Sequence, residues 1–87
     1  MKEIVTGTVS VHRWTGMAYL TPNSGYCAIS LGPKFSGNVS HGERVVAVVH
    51  ERDDGRVWTD AVFNVDVTHP MEGAIEHAEQ YVARHPW

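Results

Sequence analysis

Eighty-seven residues allow one domain, and a domain of this size buries only about 60% of its extended-chain surface, so its core must be thin. A hydrophobic content of 43% against 20% charged residues excludes a disordered chain, and no apolar run approaches the ~18 residues of a membrane helix. The formal net charge of -3 excludes a chain built around a Lys/Arg surplus, the usual signature of tight, non-specific nucleic-acid binders.

Met1-Lys2-Glu3 leads directly into a β-like segment with no signal-peptide pattern. Cys27 is the single cysteine, which leaves no internal disulfide and no cysteine-rich zinc site. Both features predict a reducing, cytoplasmic setting and no membrane. Ile4 to Trp14 reads as a long Val/Thr-rich strand, with Val5, Val9 and Val11 on one parity. Gly16 breaks it. Met17 to Thr21 is a second short strand, closed by the turn sequence Pro22-Asn23-Ser24-Gly25. Tyr26 to Leu31 is a third, with Cys27 and Ile29 on the inward parity, where Cys27 serves as a small core residue. Residues 32–38, with two Gly and a Pro, read as a surface loop.

His41-Gly42-Glu43 leads into a fourth strand, Arg44 to Glu51, apolar from Val45 through Val49 as if both its faces are covered. Asp53-Asp54-Gly55 marks a tight hairpin. In the fifth strand, Arg56 to Val67, Thr59, Ala61, Phe63 and Val65 alternate against Trp58, Asp60, Asn64 and Asp66, and Val62 is an apolar exception in the polar row. Beyond it the period changes to 3.6. Thr68 or His69 is placed to cap a helix, Pro70 suits its first turn, and Met71, Ala74, Ile75, Ala78 and Val82 form one apolar stripe. The stripe is expected to cover an open end of the barrel, because short helices are stable mainly through packing. The organisation expected is a mainly β, five-stranded antiparallel OB-type barrel over residues 1–67, with one C-terminal α-helix over 68–87 packed on it.

The order of pieces is more specific than the architecture. Thr6-Gly7-Thr8-Val9, then Gly16-Met17-Ala18-Tyr19-Leu20-Thr21-Pro22-Asn23-Ser24-Gly25, resembles the opening of a cold-shock domain. His41-Gly42-Glu43-Arg44-Val45 resembles that family's start of strand four, and Asp54-Gly55-Arg56 with Ala61-Val62 and Val65 its final strand. His12-Arg13 before the glycine is similar to the cold-shock-like domains of ribonuclease II-type exoribonucleases. The resemblance implies an OB fold that binds single-stranded RNA or DNA, with aromatic rings stacked on bases and basic residues near phosphates. Met17 and Tyr19 fall at its two strand-two aromatic positions, and only Tyr19 keeps a ring. Thr15 stands where the family has Lys, Ala28 and Ser30 stand at the strand-three ligand positions, and Val11 and His12 at the strand-one aromatic ones.

The residues expected to contact nucleic acid are therefore Tyr19, Met17, His12, Arg13, Trp14, Trp58, Lys34 and Arg56. Tyr26, Phe35 and Arg44 are further rings and charge in range. The six histidines form no metal-ligand spacing, no Walker loop is present, and Asp53-Asp54 is a turn former. No catalytic residue, metal or cofactor is assigned, and the ribonuclease likeness carries no nuclease domain with it. The leading expectation is a non-enzymatic protein that binds single-stranded nucleic acid, RNA above DNA, at modest affinity. The alternative is a protein-interaction module, such as a virus-encoded inhibitor or adaptor of a host or defence protein, on a barrel that has lost its nucleic-acid face.

Overall fold

The computed structural model describes residues 2–23, 28–65 and 70–85. Five strands and two helices follow one another as β1 (Lys2–Val11), β2 (Ala18–Pro22), β3 (Ile29–Ser30), α1 (Gly32–Ser36), β4 (Arg44–Glu51), β5 (Val57–Asn64) and α2 (Met71–Arg84). The strands form one antiparallel sheet in the order β3-β2-β1-β4-β5. It curls into a half-barrel consistent with an OB-like barrel. Its two edge strands meet through a side chain: the Thr59 hydroxyl donates to the Ser30 carbonyl at 3.2 Å.

β1 is the axis of the sheet. Its first half pairs with β4, from Lys2↔His50 to Thr8↔Arg44, and its second half with β2, from Gly7↔Pro22 to Val11↔Ala18. Gly7 and Thr8 are paired on both sides. The concave side is filled by Val5, Val9, Ala18, Leu20, Ile29, Leu31, Val45, Ala47 and Val49. Val46 and Val48 point to the other face and are buried by Ala74 and Ala78 of α2, with Ile4, Phe63, Ile75 and Tyr81 around them. This double burial explains the unbroken apolar run of β4. It also corrects the placement of the C-terminal helix, which lies on the outer face of β4 and β5 and not over an open end.

Three further expectations are revised. The segment after β3 is not all loop. Pro33 supplies a ready first helical φ, so Gly32–Ser36 makes a short helix that sends Phe35 against the concave core, and the Ser36 hydroxyl accepts from Ala18 N at 2.9 Å. Phe35 is thus a partly buried ring packed against the core. On β5, Val48 pairs with Ala61 but Val49 with Thr59, so Asp60 is bulged out of the ladder. The bulge reverses the parity around it, which places Val62 against the concave core and Phe63 and Ala61 beneath α2. Finally, Pro70 is the N-cap of α2 and Met71 its first residue, one position later than expected. The Pro22–Gly25 turn beyond Asn23, Tyr26, Cys27 and the Thr68/His69 cap lie outside the described residues. Among the described residues no helix is long and apolar enough to cross a membrane.

Candidate nucleic-acid interface

The alternation of β1 and β2 sends Val5, Val9, Ala18 and Leu20 inward and leaves Thr8, Ser10, Tyr19 and Thr21 on the outer face. Register turns this pattern into rows. Ser10, Tyr19 and Ser30 lie side by side across β1, β2 and β3. Arg44, Thr8 and Thr21 form the next row across β4, β1 and β2. Tyr19, 38% exposed, therefore stands as a single ring on a field of hydroxyls, which can donate to or accept from base edges and sugar oxygens. Arg44 is two strands and one row away, roughly 12 Å from Tyr19 between Cα atoms at ordinary sheet spacings.

Four more of the expected residues belong to the same hairpin. His12, Arg13, Trp14 and Met17 form the turn just beyond the Val11↔Ala18 pair, next to the Tyr19 row. Trp14 is 85% exposed, and the Arg13 guanidinium lies 6.0 Å from its ring centroid. Met17 is part of the turn, not of β2, and its carbonyl accepts from His12 N at 2.8 Å. His41 closes this end of β1 by accepting from Val11 N at 3.1 Å through Nδ1. Lys34 sits exposed on α1, which is tied to β2 at Ala18, and its ammonium lies 5.3 Å from the Phe35 ring centroid.

Trp58 and Arg56 are placed elsewhere. They belong to the β4–β5 hairpin, at the Lys2 end of β1 and so at the opposite end from Trp14. The Trp58 ring stacks on His50 at 4.9 Å with planes 6° apart, and the Arg52 guanidinium lies 4.7 Å from its centroid. Its indole N–H donates to Asp60 at 3.1 Å, and Asp60 pairs with Lys2 at 3.2 Å. Lys2 in turn lies 5.3 Å from the Tyr81 ring centroid on α2. Arg56 is occupied by Asp54 at 3.6 Å in the turn. Trp58 thus joins β4 to β5, and Asp60 and Lys2 continue the chain of contacts to α2. Trp58→Ala should cost about 2 kcal/mol of stability in urea unfolding, from the lost ring stacking and cation–π contact.

Charge is divided across β1 in the same way. No Asp or Glu occurs between Glu3 and Glu43, a stretch that includes β2, β3, α1 and the β1–β2 turn, and Arg13 and Lys34 are its charged bases. The carboxylates gather instead at the end of β4 and the turn after it (Glu51, Asp53, Asp54), on β5 (Asp60) and on the exposed side of α2 (Glu72, Glu76, Glu79). Glu43, where the acid-free stretch ends, is engaged by the Asn64 side-chain amide. The net charge of -3 therefore conceals a side with an excess of bases. Among the described residues no group of three His, Cys, Asp or Glu side chains is arranged to hold a metal.

The hydroxyl rows carry a sequence signal that rings and bases do not, the alternation of Thr8 and Ser10 with Val9 along β1. No protein-family model, curated protein or solved structure matches the chain.

Proposed function

We propose that this chain binds single-stranded nucleic acid, RNA above DNA, on the outer face of β1, β2 and β3, and that it catalyses no reaction. The observation that carries the reading is the placement of Tyr19 and Trp14 on one hairpin within the acid-free part of the molecule. A base stacked on an exposed ring is worth about 1–3 kcal/mol whatever its identity. The Ser/Thr rows supply neutral contacts to base edges and sugar, including a 2′-hydroxyl. Arg13, Lys34 and Arg44 are the cations available to phosphates, so affinity is modest and only weakly dependent on salt. The cold-shock resemblance of residues 4–67 points to the same ligand class and to the same strand-two ring.

The test is a fluorescence titration with labelled oligo-U and oligo-dT at several salt concentrations. Two to three phosphate contacts give a slope of log K against log salt of about -1.4 to -2. Absence of binding by the folded protein at low salt to any of several sequences would refute the reading.

A second reading, a protein-docking surface, is favoured by one observation: an 85% exposed tryptophan beside a face with few charges suits an apolar anchor as well as a base. A folded protein that ignores oligonucleotides but retains a stoichiometric protein from extract would establish it.

A further inference from the structure

The β1–β2 turn is bonded almost entirely within itself. His12 N donates to the Met17 carbonyl at 2.8 Å, and Gly16 N to the His12 carbonyl at 2.9 Å. Met17 N donates to the Thr15 hydroxyl at 3.2 Å. The two amides at the tip, Trp14 N and Thr15 N, both point to one acceptor, Nδ1 of His12, at 3.3 and 3.4 Å. Of the six residues 12–17, five have their N–H held inside the turn. At its base, His41 holds Val11 N.

A turn this fully bonded carries a large apolar side chain almost wholly in water. A free tryptophan on a slack loop would fold down onto apolar surface, because leaving it exposed is unfavourable. Holding it out on an ordered backbone removes part of the ordering cost of binding before the ligand arrives. A tryptophan has only two side-chain torsions to fix, so an ordered backbone goes far towards fixing the ring.

We propose that His12 is a positioning residue: its Nδ1 is the acceptor that orders the tip of the β1–β2 turn and so holds Trp14 out as a preset stacking finger. This rests on the reading of the face as a single-strand site. It changes the role of His12 from a ligand contact to a mount, since the nitrogen turned towards the backbone is not available to a base. Accepting at Nδ1 also requires the neutral ring to carry its proton on Nε2.

Asparagine at a turn position offers a side-chain oxygen to the amides two and three residues on, so it can replace the acceptor without the ring. The experiment compares wild type, His12→Ala and His12→Asn by amide hydrogen exchange and heteronuclear NOE at Trp14 and Thr15, and by titration with oligo-U. Far-UV circular dichroism confirms the fold in each case. In His12→Ala the exchange of the two amides should quicken about fivefold to tenfold, as expected for a lost hydrogen bond. Affinity for oligo-U should fall about threefold to tenfold, the cost of ordering one more large side chain on binding. His12→Asn should restore both. Unchanged exchange in His12→Ala overturns the proposal, as does a His12→Asn protein that behaves like His12→Ala. Failure of the wild type to bind oligo-U refutes the single-strand reading instead, while the exchange data still decide whether His12 mounts the turn.

Discussion

Gly7→Ala should lower stability by about 3 kcal/mol or more, at the top of the range for overpacking, and reduce Tm by roughly 12–24 °C. A Cβ on Gly7 would stand 2.3 Å from the Thr21 carbonyl oxygen and 2.9 Å from Pro22 Cα, both backbone atoms, and 2.8 Å from Leu20 Cδ1. Only the leucine end can turn aside. Relief of the other two contacts requires β1 and β2 to separate where Gly7 pairs with Pro22 and Asn23 N donates to the Thr6 carbonyl. Gly7 is also where β1 passes between its two partners, so the strand has no slack there. A strand glycine at a close approach of two backbones has this meaning generally. Gly16→Ala is the control. Its φ of +73° is unfavourable for alanine but no atom lies within 4 Å of the added carbon, so about 1–2 kcal/mol should be lost. Equal thermal midpoints for Gly7→Ala and wild type would show that the two strands are not packed this closely.

Tyr19→Ala should weaken binding to oligo-U about tenfold, and between fivefold and 150-fold over the full range for one stacked base. Stability should change little. The ring is partly exposed, and it sits on the outer face between Ser10 and Ser30 while the concave core is filled from β2 by Ala18 and Leu20. Tyr19→Phe keeps the π-face and should bind within about fivefold of wild type, the loss being at most one hydroxyl hydrogen bond. Trp58→Ala supplies the opposite pattern, with lowered stability and unchanged oligonucleotide affinity, because its ring is held by His50 and Arg52 at the other end of β1. Titration of these three variants against one oligonucleotide checks the assignment. A Trp58→Ala loss matching that of Tyr19→Ala would move the ligand to the β4–β5 end.

Much of the fold is legible residue by residue. Val5 and Val9 against Thr8 and Ser10 show a strand with one wet face, Asp53-Asp54-Gly55 shows the hairpin, and the spacing of Met71, Ala74, Ile75, Ala78 and Val82 shows a helix with one apolar side. The pattern fails at Asp60, because a bulge inserts one residue and reverses every side chain beyond it, and nothing in the local sequence marks that insertion. It fails again at Gly32–Ser36, where five residues are too few to display a helical period. The site was legible as a list of rings and bases but not as an arrangement. Tyr19 and Trp58 look alike in sequence, as exposed aromatic positions of short strands. Only strand order puts one beside the β1–β2 turn and the other beside Lys2 and Asp60.

The sequence alone determined the class of this chain: mainly β with a C-terminal amphipathic helix, with its acids absent from residues 4–42. Those properties depend on periods of two and 3.6, on turn residues and on composition, all local along the chain. Tertiary structure decided which side of the sheet α2 covers, that Trp58 stacks on His50 while Trp14 stands almost wholly in solvent, and which histidine nitrogen is already in use. These depend on register and on contacts between residues far apart in sequence. A one-residue bulge or the choice of sheet face changes them without altering any local pattern.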